Sequence, residues 1–397
     1  MIRNLVIIVF LLVYNIVISQ EKRMPIFGFH GVPPGEYSTV SQFSTMKRAG
    51  IDICYTLYNS DQEVKTALDA AKKANVKLII RVSSLFTDTE GTLNLFKNHP
   101  ALYGYCIGDE PNPSDFDNLA ILAKKIKKID PYHIIYINLF PNYVEPKLLN
   151  NITYRDYLNT FVQKVPVSFL SFDNYPIVKD QVRIDWYKNL EDLRSVSLNK
   201  DIDFWAFACS TIHYDYRQPT VSGIKLQQFG NLLYGAQGLQ YFTYWTLNYE
   251  ANWRKENYGY SIVDDRGNPT PTYNVVKSVN EQIQRLAWVF SGAKSVAVFH
   301  TGINIPEGTK KLYSVPEQFK FFTTYGKEAI VSIMSNGKNK FIIVQNKSLS
   351  ENMRLEYQPK MRMRKVDNNT GKSMELSLLK KYNDSILPGD IIVFAYN

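Results

Sequence analysis

The sequence predicts an α/β chain: a (β/α)8 barrel followed by a small C-terminal β-sandwich. Two observations lead there. Between residues 25 and 290, short runs rich in β-branched and aromatic residues alternate eight times with amphipathic stretches. After about residue 291 the alternation stops, and short apolar runs separated by polar turns replace it. A doubly wound open sheet would also alternate, but no glycine-rich phosphate loop follows the first run.

The elements follow in order. A first strand is expected over residues 25–30, then a helix over 40–49 stopped by Gly50. The second strand, 53–58, runs into Ser60-Asp61-Gln62-Glu63, a capping-box pattern, and Val64, Ala67, Leu68 and Ala71 follow at helical spacing. Residues 77–82 read as the third strand, and Thr87 with Glu90 suggests a second capping box before 93–96. The fourth strand, 103–108, precedes a helix over 114–129 whose Phe116, Leu119, Leu122 and Ile126 share one face. Strands over 133–140, 169–175, 203–210 and 239–245 are each followed by a helix, over 154–165, 182–198, 221–234 and 273–288. In the second region, 294–299, 328–335, 340–345, 352–357 and 391–396 read as strands. The expected organisation is a signal peptide over 1–19, a barrel over 20–290 and a β-sandwich domain over 291–397.

The signal reading rests on Arg3 followed by an apolar run over 5–13, too short to span a bilayer. It places the mature protein outside the cytoplasm, secreted or periplasmic, without a membrane span. With 45% hydrophobic and 21% charged residues the chain builds a core and is not disordered. The net charge of +9 is scattered, and its densest run, 360–365, lacks a nucleic-acid motif. That run reads as a solvated face, with contact to an anionic polysaccharide as the weaker reading. Cys54, Cys106 and Cys209 each fall inside a strand-like run and read as buried thiols, not as a disulfide framework or a zinc site.

In a (β/α)8 barrel the C-terminal ends of the strands surround one mouth, and the reacting residues come from several of them. Those ends present His30, Tyr58 with Asn59, Arg81, Asp109 with Glu110, Asn138, Asp173 with Asn174 and Tyr175, Ser210 with His213, and Tyr244 with Trp245. Carboxylates serve proton transfer, amides bind hydroxyls, and aromatic faces stack on rings, so the set suits a sugar. The five histidines show no metal-ligand spacing, and no cofactor is implied. Tyr244 and Trp245 read as wall or floor. A purely structural role for Glu110, paired with Arg81, is the bland alternative.

The run Tyr103-Gly104-Tyr105-Cys106-Ile107-Gly108-Asp109-Glu110-Pro111 resembles the fourth strand of the (β/α)8 glycoside hydrolases in the large β-galactosidase and cellulase clan. There the acid/base Glu closes this strand, commonly within Asn-Glu-Pro; here Asp109 replaces the Asn. Tyr241-Phe242-Thr243-Tyr244-Trp245 is similar to the clan's aromatic eighth strand, and the stretch 265–273, with Gly267, Pro269 and Thr270, to the entry into its last helix. The resemblance covers about residues 25–290, and the following β-domain looks like those enzymes' accessory domains. It implies Glu110 as general acid and an oligo- or polysaccharide as substrate. One departure stands out: the seventh strand ends in Cys209-Ser210, where the clan's retaining enzymes carry a second Glu. Three replacements are open. Asp173 could pair with Glu110 in an inverting reaction. Asp109 and Glu110 could act together on a substrate's 2-acetamido group, as in the substrate-assisted N-acetylhexosaminidases. Glu250 or Asp215 could reach in from a loop. The alternative of another class is a non-catalytic glycan-binding barrel.

Overall fold

The computed structural model describes residues 22–256 and 258–396. The signal expected over 1–19 lies outside the described residues. Eight parallel strands close a ring: β1 (Ile26–Phe29), β2 (Ile53–Tyr58), β3 (Lys77–Val82), β4 (Leu102–Asp109), β5 (Ile134–Leu139), β6 (Phe169–Phe172), β7 (Asp203–Cys209) and β8 (Gly238–Phe242). Each pairs with its neighbours in sequence, and β1 pairs with both β2 and β8. The fold class expected from the alternation is therefore the one observed.

Both faces of these strands are buried, which is why they read as near-continuous apolar runs. Alternate residues fill the ring. Phe27, Tyr55, Ile79, Tyr136, Phe169, Trp205 and Phe207 form a single interior cluster. Its rings pack tightly, with Phe169 stacked on Trp205 at 4.4 Å and Phe27 against Tyr136 at 5.2 Å between centroids. The intervening residues, such as Cys54, Ile80, Ile107 and Leu139, face the helices. Those helices are α1 (Val40–Arg48), α2 (Asp61–Lys73), α3 (Thr89–Phe96), α4 (Phe116–Ile129), α5 (Tyr154–Lys164), α6 (Asp185–Lys200), α7 (Val221–Leu233) and α8 (Pro271–Arg285).

Local chemistry sets their ends. Ser60 caps α2 by accepting from Glu63 N–H at 3.3 Å, but the Glu63 carboxylate reaches Asn59 N–H at 2.7 Å, one residue earlier than a reciprocal box requires. The cap of α3 is Asp88, which accepts from Gly91 N–H at 3.0 Å, and not the expected Thr87. Thr87 ends a preceding single turn, Ser84–Thr87, and bonds back to Ser83 O at 3.3 Å. Strand β6 is shorter than expected: beyond Phe172 the chain turns into a two-residue-per-arm hairpin, Ile177–Val178 with Gln181–Val182, which delays α6 to Asp185.

After a short turn of helix at Ala287–Phe290 come two antiparallel sheets. Their strands are β9 (Lys294–His300), β10 (Phe319–Thr323), β11 (Ala329–Asn336), β12 (Asn339–Asn346), β13 (Met353–Pro359), β14 (Met363–Val366), β15 (Ser373–Glu375), β16 (Tyr382–Ile386) and β17 (Ile391–Tyr396). The six-stranded sheet runs β9-β11-β12-β17-β14-β15, and the three-stranded sheet β10-β13-β16. Strand β17 shows how the sequence builds two interfaces at once. Ile391, Val393 and Ala395 join the main core toward the barrel helices. Ile392, Phe394 and Tyr396 join the core between the sheets. Polar contacts tie the sheet to α7: Gln345 Nε2 donates to Leu226 O at 3.1 Å, and Lys225 and Gln282 both reach Asp390. Among the described residues no helix is long and apolar enough to cross a membrane.

Candidate functional site

The carboxylates meet at the C-terminal rim of the barrel, between β4 and β6. Strand β4 carries a bulge between Cys106 and Gly108 relative to β5. A bulge re-aims the residues that follow it, so Cys106 faces the interior and Asp109, three residues on, still turns to the mouth. Glu110 then takes a left-handed backbone, φ 47°, while its N–H bonds to Asn138 O at 2.8 Å. His30, at the end of β1, does the same with φ 44°. A side chain in that region costs about 1–3 kcal/mol, strain that gathers where a strand end must present a side chain to a site.

Asn138 is the clamp. Its Nδ2 donates to Asp109 Oδ1 at 3.2 Å and to Asp173 Oδ1 at 2.9 Å. Its own Oδ1 accepts from Ser171 Oγ at 3.0 Å. Ser171 in turn accepts from Gln240 Nε2 at 2.9 Å, and Gln240 Oε1 accepts from Tyr136 OH at 2.8 Å. A buried polar chain therefore runs from the ring interior up to the carboxylates and fixes the amide that holds two of them. The Tyr175 hydroxyl beside Asp173 favours the ionised carboxylate.

The third carboxylate, Glu110, is near enough to Asp173 and Asp109 for their charges to act on it. As a residue it stands on the open rim, yet its carboxyl is partly enclosed. Enclosure, then the negative charges of Asp173 and Asp109, push it up to about 8. Burial raises Asp173 to about 6 against the opposing bond from Asn138, and burial also raises Asp109. Glu110 therefore holds a proton at neutral pH, the condition for a general acid. Arg81 does not pair with Glu110 among the described residues; its guanidinium sits by Cys106 Sγ at 3.9 Å and draws on Asp109. His30 and His213, both lowered to about 4 by burial, stay uncharged.

The structure separates the other residues expected at the strand ends. Tyr58 packs between β2 and its helix with Cys54 and Val64, 4% exposed, its hydroxyl unpartnered. Tyr244 is likewise buried in the helix layer. The correction follows from period 2: Ile53, Tyr55 and Leu57 point inward, as do Gln240 and Phe242, so the next residue points out. Asn174 is also withdrawn from the mouth; its Nδ2 donates to Asn189 Oδ1 at 2.9 Å and ties the end of β6 to α6. Trp245, 1% exposed, packs on Tyr37 at 5.0 Å and lines a neighbouring cavity. His213 is stacked between Tyr216 and Trp253. At the end of β7, Ser210 Oγ is bonded to Thr243 O at 2.9 Å and burial pushes the Cys209 thiol up to about 12, so neither is a ready nucleophile. Asp215 is paired with Lys179 at 3.3 Å on the exposed surface. Sequence reasoning missed Leu57 and Phe242, which the alternation could have found. It also missed Tyr143, Tyr216 and Arg183, which come from loops and carry no periodic signal; Arg183 lies over the Tyr143 ring at 3.9 Å. Among the described residues no cluster of His, Cys, Asp or Glu is arranged to hold a metal.

No protein-family model matches the chain, and no curated protein matches its sequence. Solved structures match it in shape. An α-L-arabinofuranosidase from Thermotoga maritima, solved as its arabinose complex, has TM-score 0.51 at 9% identity, covering 95% of this chain and 97% of that one. A glucosidase from Croceicoccus marinus gives TM-score 0.49 at 10% identity over 94% and 95%. An endo-β-1,4-mannanase from Thermotoga petrophila gives 0.46 at 9% over 93% and 98%. The likeness to the arabinofuranosidase spans nearly the whole of both chains, so the barrel and the β-domain after it are similar as one arrangement.

Proposed function

We propose that this protein is a glycoside hydrolase acting on an oligo- or polysaccharide outside the cytoplasm. Glu110 is its general acid and Asp173 the second carboxylate. The observation that carries the reading is the convergence of Glu110, Asp109 and Asp173 on Asn138 at the barrel mouth, and the upward shift of Glu110 agrees with it. The proton passes to the glycosidic oxygen as the bond to the sugar breaks. Asp173, fixed by Asn138, takes the proton of a water that adds to the anomeric carbon, while Asp109, held by the same amide, faces the positive charge that develops on the ring. The overall likeness to an arabinofuranosidase and the Asp-Glu-Pro strand end support the same reading.

One observation favours a substrate-assisted variant of this chemistry. The end of β7 brings Cys209 and Ser210 in place of a carboxylate. In that variant a 2-acetamido group of the substrate attacks, and Asp109 orients it.

The test is reducing-sugar release from a panel of plant, host and microbial glycans, including 2-acetamido sugars, by the wild type and Glu110→Gln. Release by the wild type alone is expected. Equal release by both removes Glu110 from the reaction, and binding without any release identifies a glycan-binding barrel.

A further inference from the structure

A cavity of about 590 Å3 opens at the ends of β8, β1 and β2. In the ring order these strands lie opposite β4, β5 and β6, which carry Glu110, Asn138 and Asp173. A glycan bound at Glu110 and extended across the mouth toward β1 would reach the cavity. The volume is within the range of small-molecule sites, roughly 300–1,000 Å3.

Its lining is selective in charge. The protein carries a net charge of +9, yet among the described residues the cavity is lined by the carboxylates of Glu250 and Asp265 and by no lysine or arginine. The nearest basic group of the same loop, Arg254, is engaged with the backbone, donating to Asn248 O at 2.7 Å and Tyr249 O at 3.0 Å. Asn248 Nδ2 donates to Asp265 Oδ2 at 3.0 Å, which orients that carboxylate. Trp245 supplies an aromatic wall that is 1% exposed. Leu57, 51% exposed, offers an apolar edge for the C–H face of a ring. Carboxylates accept hydroxyl hydrogens well and repel other carboxylates at short range.

We propose that this cavity is the specificity subsite of the mouth: it takes an uncharged, hydroxyl-rich ring of the glycan and rejects uronate or sulfated rings. The inference rests on the glycosidase reading for the direction of the chain, but its test does not. Full-length Glu110→Gln protein is titrated calorimetrically with cellohexaose, mannohexaose, chitohexaose and hexagalacturonate. At least one neutral hexasaccharide binds, and hexagalacturonate does not. Leu57→Trp, which fills the cavity from an exposed position, weakens that binding at least tenfold, and Glu250→Gln with Asp265→Asn narrows the preference over hexagalacturonate; melting curves confirm that each variant is folded. The proposal fails if hexagalacturonate binds as tightly as the best neutral chain, if Leu57→Trp changes nothing, or if no neutral chain binds. Wild-type hydrolysis with a KM indifferent to both cavity variants sinks the subsite and leaves the hydrolase. Cavity-dependent binding without wild-type hydrolysis does the reverse.

Discussion

Glu110 is the residue on which the proposed chemistry turns, and its proton has measurable consequences. With Glu110 near 8 and Asp173 near 6, kcat/KM should follow a bell with limbs at those values. Asp173→Asn removes a negative charge that holds the Glu110 proton, so the alkaline limb moves to lower pH; a limb that stays put breaks the link between the two. Stability responds as well. An unfolded Glu110 ionises near 4.5, whereas the folded one keeps its proton to about 8. Between those values the folded state binds the extra proton, so stability falls as pH rises through the window. Glu110→Gln cannot ionise and escapes that loss. Its melting temperature should match the wild type at about pH 4 and exceed it at about pH 9. A lower melting temperature at the alkaline end contradicts the charge account. Asp109, Glu110, Asn138 and Asp173 were all legible as strand ends. Their convergence was not, because it depends on a bulge in β4 and on a clamp assembled from Ser171, Gln240 and Tyr136 on three strands.

At the scale of elements, strand existence was legible wherever a β-rich run met a turn signal, and parity only by counting along the strand. Leu57 and Tyr58 are both apolar enough to serve either face, and the count by two from Ile53 and Tyr55 is what turns Leu57 to the mouth. In the β-domain, 319–323 and 382–386 escaped notice because their outward residues are polar and charged, as in Lys320 and Asp384. Their inward partners are few, since a three-stranded sheet buries one face only. The interior of the ring is the most exacting element. Gly238 opens β8 directly beneath Trp205, and a Cβ there would lie 2.3 Å from the indole. Gly238→Ala should therefore cost about 1–3 kcal/mol in chemical denaturation, through displacement of Trp205 from its stack on Phe169. A neutral result would mean that the interior is loosely packed.

For the whole molecule, the barrel and the six-stranded sheet share one core, so they should unfold together. Asp390 sits at the joint with its side chain largely buried, accepting from Lys225 on α7 and from Gln282 on α8. Removing one partner strands the other charge, so Asp390→Ala should cost about 3 kcal/mol. The melt of this variant should stay a single transition; two separated transitions would mean that the sheet folds independently of the barrel. The alternation of β17 between two cores was visible in the sequence only as a continuous apolar run, because burial on both faces erases the period-2 signal.

The acid role of Glu110 is tested most directly by comparing two substrates. Glu110→Gln should lose about 10²–10⁴-fold in kcat/KM on the cleaved glycan, whose alkoxide leaving group needs a proton. It should keep most of its rate on the matching 2,4-dinitrophenyl glycoside, whose leaving group needs none. Equal losses on both substrates, or no loss on either, would contradict the assignment of Glu110 as the proton donor.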